Sequence, residues 1–181
     1  MDFLETPISG LILARPKVFS DNRGYFMETF RKDLFTPVIG DVDFVQDNES
    51  ESTVGVLRGL HLQKGEYSQA KLVRVVEGSV FDVAVDLREG SATYGRWFGT
   101  ELSHENKLMM FIPRGFAHGF LVLSPKARFV YKVDNFYAPQ SELTIAYNDP
   151  DINIKWPEIE NDYILSERDV SKSISLKEYK K

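Results

Sequence analysis

Residues 56–63, with the sequence VLRGLHLQ, and residues 70–76, with the sequence AKLVRVV, decide how this chain is interpreted. Their branched apolar residues are typical of β-strands. Arg58, His61 and Lys71 interrupt these strands, although charged groups are costly to bury. A guanidinium suits phosphate, an imidazole suits proton transfer near neutral pH, and a partly buried ammonium suits stabilisation of an oxyanion. We therefore interpret the rest of the chain as the framework that holds these three groups.

The composition predicts an ordinary globular protein. The chain has 181 residues, of which 43% are hydrophobic and 27% charged, so we expect a single domain over residues 1–181. Within it we expect a catalytic barrel at about residues 10–150 and a C-terminal segment at about residues 151–181. The net charge of −5 disfavours nucleic-acid binding, and the lack of cysteine excludes disulfides and thiolate zinc sites. Residues 1–7 lack the pattern of a signal peptide, and no apolar stretch approaches the roughly 20 residues of a membrane helix, so we expect a cytoplasmic protein that binds no membrane.

Short strand patterns follow one another along most of the chain. Four of them lie at residues 80–87, 107–112, 117–123 and 127–133. Residues 31–38 are the predicted helix of the first half, a second short helix begins after Ser166, and residues 172–181 are expected to form a loosely packed end. Many short strands separated by Gly and Pro predict an all-β sandwich or barrel with a few short helices.

A polar strand is predicted at residues 44–50. Its alternation places Gln46 and Asn48 on one face. Two adjacent amides suit recognition of a polar ligand, but a solvated strand edge explains them equally well.

Residues 111–120, with the sequence FIPRGFAHGF, contain Pro113, Gly115 and His118 in the spacing Pro-x-Gly-x-x-His. This motif resembles the second signature of the cupin superfamily, whose fold is a double-sheet jelly-roll barrel. The resemblance implies that His118 lies in the pocket of such a barrel, where it either contacts the substrate or positions His61.

The sequence Gly59-x-His61-x-Gln63 resembles a degraded first cupin signature, which in metal-binding members supplies two histidines and a glutamate. Gln63 stands in the place of the second histidine, and Lys71 lies close to where the acid is expected. An ammonium has no lone pair to offer a metal and repels divalent cations. We therefore expect a pocket that holds no metal and transfers protons with organic groups.

An ordered set of motifs resembles the dTDP-4-dehydrorhamnose 3,5-epimerase family over about residues 10–169. The motifs are DNRG at 21–24, FVQDN at 44–48, LRGLH at 57–61, KLVR at 71–74, FDVAVD at 81–86, IPRGFAHGF at 112–120 and YK at 131–132. The resemblance implies a homodimeric cupin without metal or cofactor. Such enzymes invert C3 and C5 of dTDP-4-dehydro-6-deoxy-D-glucose, which gives dTDP-4-dehydro-L-rhamnose.

The resemblance also implies residue roles. His61 matches the general base, Tyr131 matches the acid that returns a proton on the opposite face, and Lys71 lies near the 4-keto oxygen. Asp169 matches the carboxylate that pairs with the histidine. The positions that match contacts to the nucleotide sugar are Arg23, Glu28, Gln46, Asp47, Asn48, Arg58, His118, Glu142 and Arg168. Arg168 departs from the lysine expected there, which changes the geometry of its contact.

The chemistry agrees with these roles on independent grounds. A proton beside a ketone is acidic because the resulting carbanion delocalises onto oxygen, and Lys71 is of the right type to hold that enolate. Inversion needs a second group on the opposite face, and a phenol, with an ordinary pKa of about 10, stays protonated at neutral pH. A carboxylate such as Asp169 would fix the tautomer of the imidazole.

Two points of geometry stay open in the sequence. Ideal alternation puts Arg58 and His61 on opposite faces of one strand, unless Gly59 lies at a bulge. Phe19, Phe26 and Tyr137 are candidates to stack on a thymine ring, although a core position is favoured for each of them alone.

Two alternative functions differ in how well they fit the same residues. A single-carbon epimerase or a ketoisomerase for a related nucleotide 4-keto sugar would use the same base, acid and lysine, because regiochemistry depends on how the sugar is seated. A non-catalytic sugar-nucleotide binder or a metal-dependent cupin is disfavoured by Gln63, Lys71 and the complete acid–base set.

Overall fold

The computed structural model of the protein describes residues 1–160 and 162–180, and β-strands dominate these ranges. Two six-stranded sheets and one two-stranded hairpin contain the described strands, and the three α-helices have no more than eight residues each. The strands are β1 (Asp2–Glu5), β2 (Ile12–Arg15), β3 (Val18–Asp21), β4 (Gly24–Met27), β5 (Gln46–Thr53), β6 (Leu57–Gln63), β7 (Lys71–Glu77), β8 (Ser79–Asp86), β9 (Trp97–Ser103), β10 (Met109–Ile112), β11 (Phe116–Val122), β12 (Lys126–Val133), β13 (Glu142–Ile145) and β14 (Ser173–Ile174). The helices are α1 (Lys32–Ile39), α2 (Glu167–Ser171) and α3 (Leu176–Tyr179). The prediction of an all-β, double-sheet barrel with a few short helices is confirmed.

The two large sheets have a mostly antiparallel order. The first sheet runs β1-β2-β10-β7-β12-β5, and the second runs β14-β13-β6-β11-β8-β9. The exception in the second sheet is the parallel pairing of β13 with β14. Among the described strands, β3 and β4 pair only with each other and form a separate hairpin.

The main core lies between the inner faces of the two sheets. Alternation on β7 and β12 turns Val73, Val75 and Phe129 inward, where they meet Ala84 and Phe120 of the second sheet. The rings of Phe120 and Phe129 stack across the gap with centroids 4.3 Å apart. Alternate residues of a strand face the same side of the sheet. Lys71 therefore faces inward like Val73 and Val75, and Tyr131 faces inward like Phe129.

The C-terminal segment covers the outer face of the second sheet. Ile152, Trp156 and Leu176 pack on a cluster that includes Leu62 and Val85. The prediction that residues 172–181 are loosely packed is wrong for the described part, because β14 pairs with β13 and Ser175 caps α3 with a capping box. Lys181 lies outside the described residues.

The outer face of the first sheet carries a third apolar cluster beneath α1. Phe35 is buried there and packs edge-on against Phe3, with ring centroids 5.0 Å apart. This packing explains why α1 continues past Pro37 to Ile39, although the sequence predicts its end near the proline. None of the described helices is long and apolar enough to cross a membrane.

A β-bulge lies in β6 at Gly59. His61 is the partner of His118 on β11, whereas Arg58 is the partner of Phe120, so three steps on β6 match two steps on β11. Gly59 has a φ of 130°, and a side chain there would lie 2.6 Å from the Cα of Gly119. The extra residue offsets the alternation between Arg58 and His61, which settles the question that ideal alternation left open.

Candidate active site

Two rows of polar side chains face each other inside the barrel. On the second sheet, His61 and His118 are direct partners on neighbouring strands, and Asp82 is a diagonal neighbour of His118. On the first sheet, Tyr131 is paired with Asn48 and is a diagonal neighbour of Lys71. Partners and diagonal neighbours on one face of a sheet lie within reach of each other. The fold therefore brings the imidazoles, the ammonium and the phenol into one interior.

His61 and Asp169 form the closest polar pair of the site. The His61 Nε2 atom lies 2.6 Å from Asp169 Oδ1, and Asp169 is buried. Burial is the largest influence on the pKa of Asp169 and raises it, but the hydrogen bond and charge of His61 together with Ser166 bring the pKa below its usual value. The carboxylate therefore stays ionised and accepts the proton that Nε2 carries.

The position of Asp169 depends on the segment that precedes α2. Ile164 donates its N–H to the carbonyl of Gly55 at 2.8 Å, and its own carbonyl accepts from the N–H of Leu57 at 3.0 Å. Ser166 then caps α2, with its hydroxyl accepting from the N–H of Asp169 at 3.1 Å. We call residues 164–169 the strap, because they fix the carboxylate against β6.

Lys71 is partly buried on the inner face of β7. Burial lowers its pKa to about 8, and the charges of Asp82 and Glu142 oppose that shift. At neutral pH most of the population is therefore protonated, with little solvent around the charge. An ammonium in this state is suited to a developing oxyanion.

His118 is held by a carboxylate that the sequence analysis did not assign. Its Nε2 atom lies 3.0 Å and 3.1 Å from the two oxygens of Asp82, which is fully buried. Burial lowers the pKa of His118, while the charge of Asp82 and its hydrogen bond oppose that shift. The signal in the sequence was an acid inside the apolar run of residues 80–87, because a charged residue is rarely buried without a partner.

Tyr131 projects from β12 toward the same interior. Burial and the negative charge of Glu142 raise the pKa of its hydroxyl, and the positive charge of Arg58 opposes them. The phenol is therefore protonated throughout the neutral range and is able to donate a proton.

Glu142 is the centre of a second polar cluster at the edge of the site. It accepts hydrogen bonds from Arg168 Nη1 and from the hydroxyl of Tyr137, both at 2.6 Å. Burial raises the pKa of Glu142, but the hydrogen bonds from Arg168 and Tyr137 bring it below its usual value.

The sequence-based prediction of a core position for Tyr137, Phe19 and Phe26 is wrong. The exposed fractions of these side chains are 52%, 51% and 67%.

Arg58 keeps its positive charge available. Its Nε donates to the hydroxyl of Ser52 at 3.0 Å, and within residues 1–160 and 162–180 no carboxylate forms an ion pair with it. A cavity with a volume of about 390 Å³ opens beside Arg58, His61, Arg168 and Asp169. This volume lies in the range of small-molecule sites.

The two amides of β5 are also brought to the inner face. Gln46 Nε2 donates to Asn48 Oδ1 at 2.8 Å, and Gln46 Oε1 accepts from the N–H of Tyr137 at 3.3 Å. The predicted shared face of Gln46 and Asn48 is therefore present.

Three of the predicted contact residues lie apart from this interior. Asp47 faces the opposite side of β5 and binds the ammonium of Lys132 at 2.9 Å, as strand alternation requires. Arg23 is in the turn of the β3–β4 hairpin, where it pairs with Asp21 at 2.6 Å and is largely exposed. Glu28 follows the hairpin and pairs with Arg31 at 3.4 Å. The interior of this chain is formed without these three side chains.

Gln63, at the position of the second cupin histidine, binds backbone groups instead of pointing at a metal. Its side chain is 5% exposed, with hydrogen bonds to Tyr67, Phe136 and Ala138. In the described part of the chain, no three His, Asp or Glu residues are grouped as metal ligands would be.

Comparisons with known proteins agree with the family resemblance. A model of the dTDP-4-dehydrorhamnose 3,5-epimerase family matches residues 5–178. The dTDP-4-dehydrorhamnose 3,5-epimerase of Shigella flexneri is 52% identical to this chain over 172 residues, which are 94% of each protein. The crystal structure of the enzyme of that name from Elizabethkingia anophelis NUHP1 is 52% identical, with a TM-score of 0.93 over 98% of this chain and 97% of that chain.

A second solved structure contains a nucleotide sugar. It is the dTDP-6-deoxy-D-glucose-3,5-epimerase of Legionella pneumophila Philadelphia 1 in complex with dTDP-4-keto-L-rhamnose. It is 47% identical to this chain, with a TM-score of 0.92 over 96% of this chain and 92% of that one. The similarity to all three proteins thus extends over nearly the full length of each.

Proposed function

The chain belongs to the dTDP-4-dehydrorhamnose 3,5-epimerase family, and we propose on this basis that it inverts C3 and C5 of dTDP-4-dehydro-6-deoxy-D-glucose to give dTDP-4-dehydro-L-rhamnose. The reaction is an isomerisation in which each centre loses a proton on one face and gains one on the other. The small-molecule substrate is a nucleotide sugar, as in the complex of the Legionella relative.

The contact between His61 and Asp169 carries this proposal. Because an ionised carboxylate only accepts hydrogen bonds, His61 Nε2 carries the proton at the 2.6 Å contact, and the lone pair of Nδ1 is left as the base. Once Nδ1 has taken a proton from carbon, Asp169 stabilises the imidazolium. His61 is thus the general base, and Asp169 is the group that orients it.

Lys71 stabilises the intermediate. When His61 removes the proton from C3 or C5, the electrons of the C–H bond move into the carbonyl and leave negative charge on the 4-keto oxygen. A protonated Lys71 donates a hydrogen bond to that oxygen in a site with little water, where such a contact lowers the barrier most.

Tyr131 completes each inversion. Its hydroxyl gives a proton to the same carbon on the face opposite His61. The phenolate then recovers a proton from solvent and the His61 imidazolium releases one, so both groups are restored for the second centre. The raised pKa of Tyr131 supports this role, because a weaker acid stays protonated until the strongly basic enolate carbon is present.

The nucleotide part is bound at the edge of the barrel. Arg58 has a guanidinium free of ion pairs with described residues, so it is suited to the diphosphate. The exposed ring of Tyr137 supplies a surface for the thymine ring, and Gln46, Asn48, Glu142 and Arg168 supply further polar contacts to the nucleotide sugar. His118 lies inside the barrel, where it contacts the substrate or positions His61.

A homodimer accounts for the residues that lie apart. Among the described residues, Arg23 and Glu28 contact no group of the barrel interior in their own copy, and the β3–β4 hairpin exposes Phe19, Tyr25 and Phe26. Exposed aromatic rings grouped on one hairpin are typical of a binding surface. We propose that this hairpin reaches a second copy and brings Arg23 and Glu28 to the cavity of that copy. Asp47, which pairs with Lys132 on the other side of β5, stays a predicted substrate contact.

The proposed chemistry uses organic groups only. An ammonium at Lys71 would repel a divalent cation in the same interior, and Gln63 uses its amide for backbone hydrogen bonds. The cytoplasmic location and the single-domain organisation stay predictions of the sequence.

The deciding experiment is NMR of the purified protein with dTDP-4-dehydro-6-deoxy-D-glucose in heavy water. We expect deuterium at both C3 and C5 and inverted configuration at both centres, which is the L-rhamno configuration. Deuterium at one carbon only would instead establish a single-carbon epimerase that uses the same base, acid and lysine. No exchange at either carbon by a folded protein would exclude the proposed function.

A further inference from the structure

Gln63 is a buried amide whose hydrogen bonds all go to the backbone of two loops. Its Nε2 atom donates to the carbonyls of Tyr67, at 2.7 Å, and Phe136, at 3.2 Å. Its Oε1 atom accepts from the N–H of Ala138 at 2.7 Å. Both donors and one acceptor site are therefore used, which is what a side chain that is 5% exposed requires.

Two of these bonds lie on either side of Tyr137. In a β-sheet, a neighbouring strand would bind the carbonyl of Phe136 and the N–H of Ala138 together. Here the carboxamide of Gln63 binds both groups instead. The N–H of Tyr137 itself donates to Gln46 Oε1 at 3.3 Å. Tyr137 lies in irregular backbone between β12 and β13, so these side-chain contacts replace the order that a sheet would give.

The side chain of Tyr137 is exposed although its backbone is held. The ring is 52% exposed, and the hydroxyl donates to Glu142 Oε2 at 2.6 Å. An exposed ring with a fixed backbone and a fixed hydroxyl loses little conformational freedom when a planar ligand stacks on it.

We propose that Gln63 is a positioning residue that holds Tyr137 in place as the stacking surface for the thymine ring. This inference rests on the proposed function, because it presupposes a thymidine nucleotide at Tyr137. The position that supplies a metal ligand in metal-binding cupins would here serve nucleotide binding, without contact to the reacting carbons.

The chain offers a matched control in Gln69. Its Nε2 atom donates to the carbonyl of Asn135 at 2.7 Å, so it also joins the segment after β12 to the loop after β6. This bond lies two residues before Tyr137 and does not flank it. Gln69→Met therefore removes a similar hydrogen bond from the same pair of loops and leaves the backbone on both sides of Tyr137 held.

The test compares Gln63→Met, Gln69→Met and Tyr137→Ala with the wild type. The readouts are the Kd of dTDP by calorimetry, kcat and KM for the nucleotide sugar, and the melting temperature. Gln63→Met should raise Kd and KM about tenfold with kcat within about twofold, because hydrogen bonds of this kind contribute about that much when a binding group is preordered. Gln69→Met should leave Kd within about twofold. In the Tyr137→Ala background, Gln63→Met should cause no further rise in Kd.

Several results would overturn the inference. Gln63 would be a general structural residue if Gln63→Met lowered kcat by the same factor by which it raised KM. The same conclusion would follow if Gln69→Met raised Kd as much as Gln63→Met does. It would also follow if Gln63→Met raised Kd in the Tyr137→Ala background as much as in the wild type. If Gln63→Met does not fold, Gln63→Asn, which keeps the amide one methylene short, should show the same rise in Kd. If Tyr137→Ala weakened dTDP binding but Gln63→Met left it unchanged, the inference about Gln63 would be wrong, whereas the proposed function would stand. A wild type that binds no dTDP would overturn the proposed function as well.

Discussion

In the proposed mechanism, His61 on one sheet removes the proton and Tyr131 on the other sheet returns it, and this assignment is open to direct test. His61 projects from β6 of the second sheet, and Tyr131 projects from β12 of the first. A substrate bound between the sheets would present opposite faces to the two groups. The proposed base and acid therefore lie on opposite sides of the substrate because they belong to different sheets.

Tyr131→Phe should separate exchange from inversion. Deprotonation by His61 survives the substitution, whereas delivery from the opposite face loses its donor. We expect net inversion to fall by about 100-fold or more, while solvent exchange at C3 and C5 falls much less. Deuterium incorporation and product configuration, measured in the same NMR experiment, check this. Inversion at the wild-type rate would make Tyr131 dispensable as the acid.

Lys71 should set the alkaline limit of activity. Its pKa of about 8 lies below that of free lysine because burial disfavours the charged form, so the ammonium is lost as pH rises through about 8. The pKa of Tyr131 is raised, so the phenol does not titrate in that range. We expect kcat/KM to fall above pH 8, and Lys71→Met to lower kcat by about 100-fold at neutral pH.

Lys71→Arg is the control for this assignment. A guanidinium stays charged far above pH 8, so whatever activity the variant keeps should show no decline near pH 8. A decline at the same pH in the arginine variant would assign the limit to another group.

Much of the site could be predicted at the residue level, and the exceptions have a common cause. The family resemblance indicated His61, Lys71, Tyr131 and Asp169, and the structure brings these residues to one interior. Asp82 was missed because a strand pattern records that a charge is buried and does not record which partner it meets. Tyr137 was misplaced because an aromatic residue in a loop is favoured for the core unless the backbone contacts that expose it are known.

At the level of elements, alternation predicted that Gln46 and Asn48 share a face, but it failed between Arg58 and His61 because β6 contains a bulge. The bulge depends on the close approach of two backbones, in which Gly59 of β6 faces Gly119 of β11. Glycine in both motifs is visible in the sequence, but only the pairing of the two strands shows that the glycines meet. The loose end predicted after residue 171 failed for a similar reason, because the pairing of β14 with β13 is long-range.

Gly59→Ala should destabilise the protein more than Gly24→Ala. Both glycines have a left-handed φ, 130° and 128°, so backbone strain disfavours an added side chain at each position. A Cβ at Gly59 would lie 2.6 Å from the Cα of Gly119 and 2.9 Å from the carbonyl oxygen of His118, whereas a Cβ at Gly24 meets nothing within 4 Å. We expect Gly24→Ala to cost about 1 kcal/mol and Gly59→Ala about 3 kcal/mol or more.

Thermal melting at one fixed protein concentration measures this difference. Equal melting temperatures for the two variants would mean that β6 and β11 separate easily, contrary to the close packing of the bulge. The Gly59 variant should also lose activity, since a shift of β6 moves Arg58 and His61 relative to each other.

At the level of the whole molecule, the proposed dimer makes each cavity depend on two copies. Arg23 is carried by the exposed hairpin, and His61 is inside the barrel. If the hairpin serves the neighbouring copy, then damage to one residue in one copy is complemented by the other copy.

A mixture of Arg23→Ala and His61→Asn proteins should therefore recover activity that neither has alone. After dissociation and reassociation, half of the dimers are mixed, and each mixed dimer has one cavity with an intact His61 and an intact hairpin from its neighbour. We expect about a quarter of the wild-type activity. Sedimentation analysis confirms the dimers, and no recovery in mixed dimers would place each hairpin at its own cavity.

The distance along the chain between His61 and Asp169 has a consequence for biosynthesis. The two residues are 108 positions apart, and the strap that carries Asp169 follows β13 in the sequence. A ribosome must therefore finish β1–β13 and the strap before the base acquires its carboxylate. At about 5–20 residues per second, that interval is on the order of ten seconds after β6 has emerged. In the proposed mechanism, a nascent chain or a fragment cut before the strap would contain β1–β13 and His61 but would lack the carboxylate that orients the imidazole, so we expect it to abstract protons far more slowly than the chain that includes the strap.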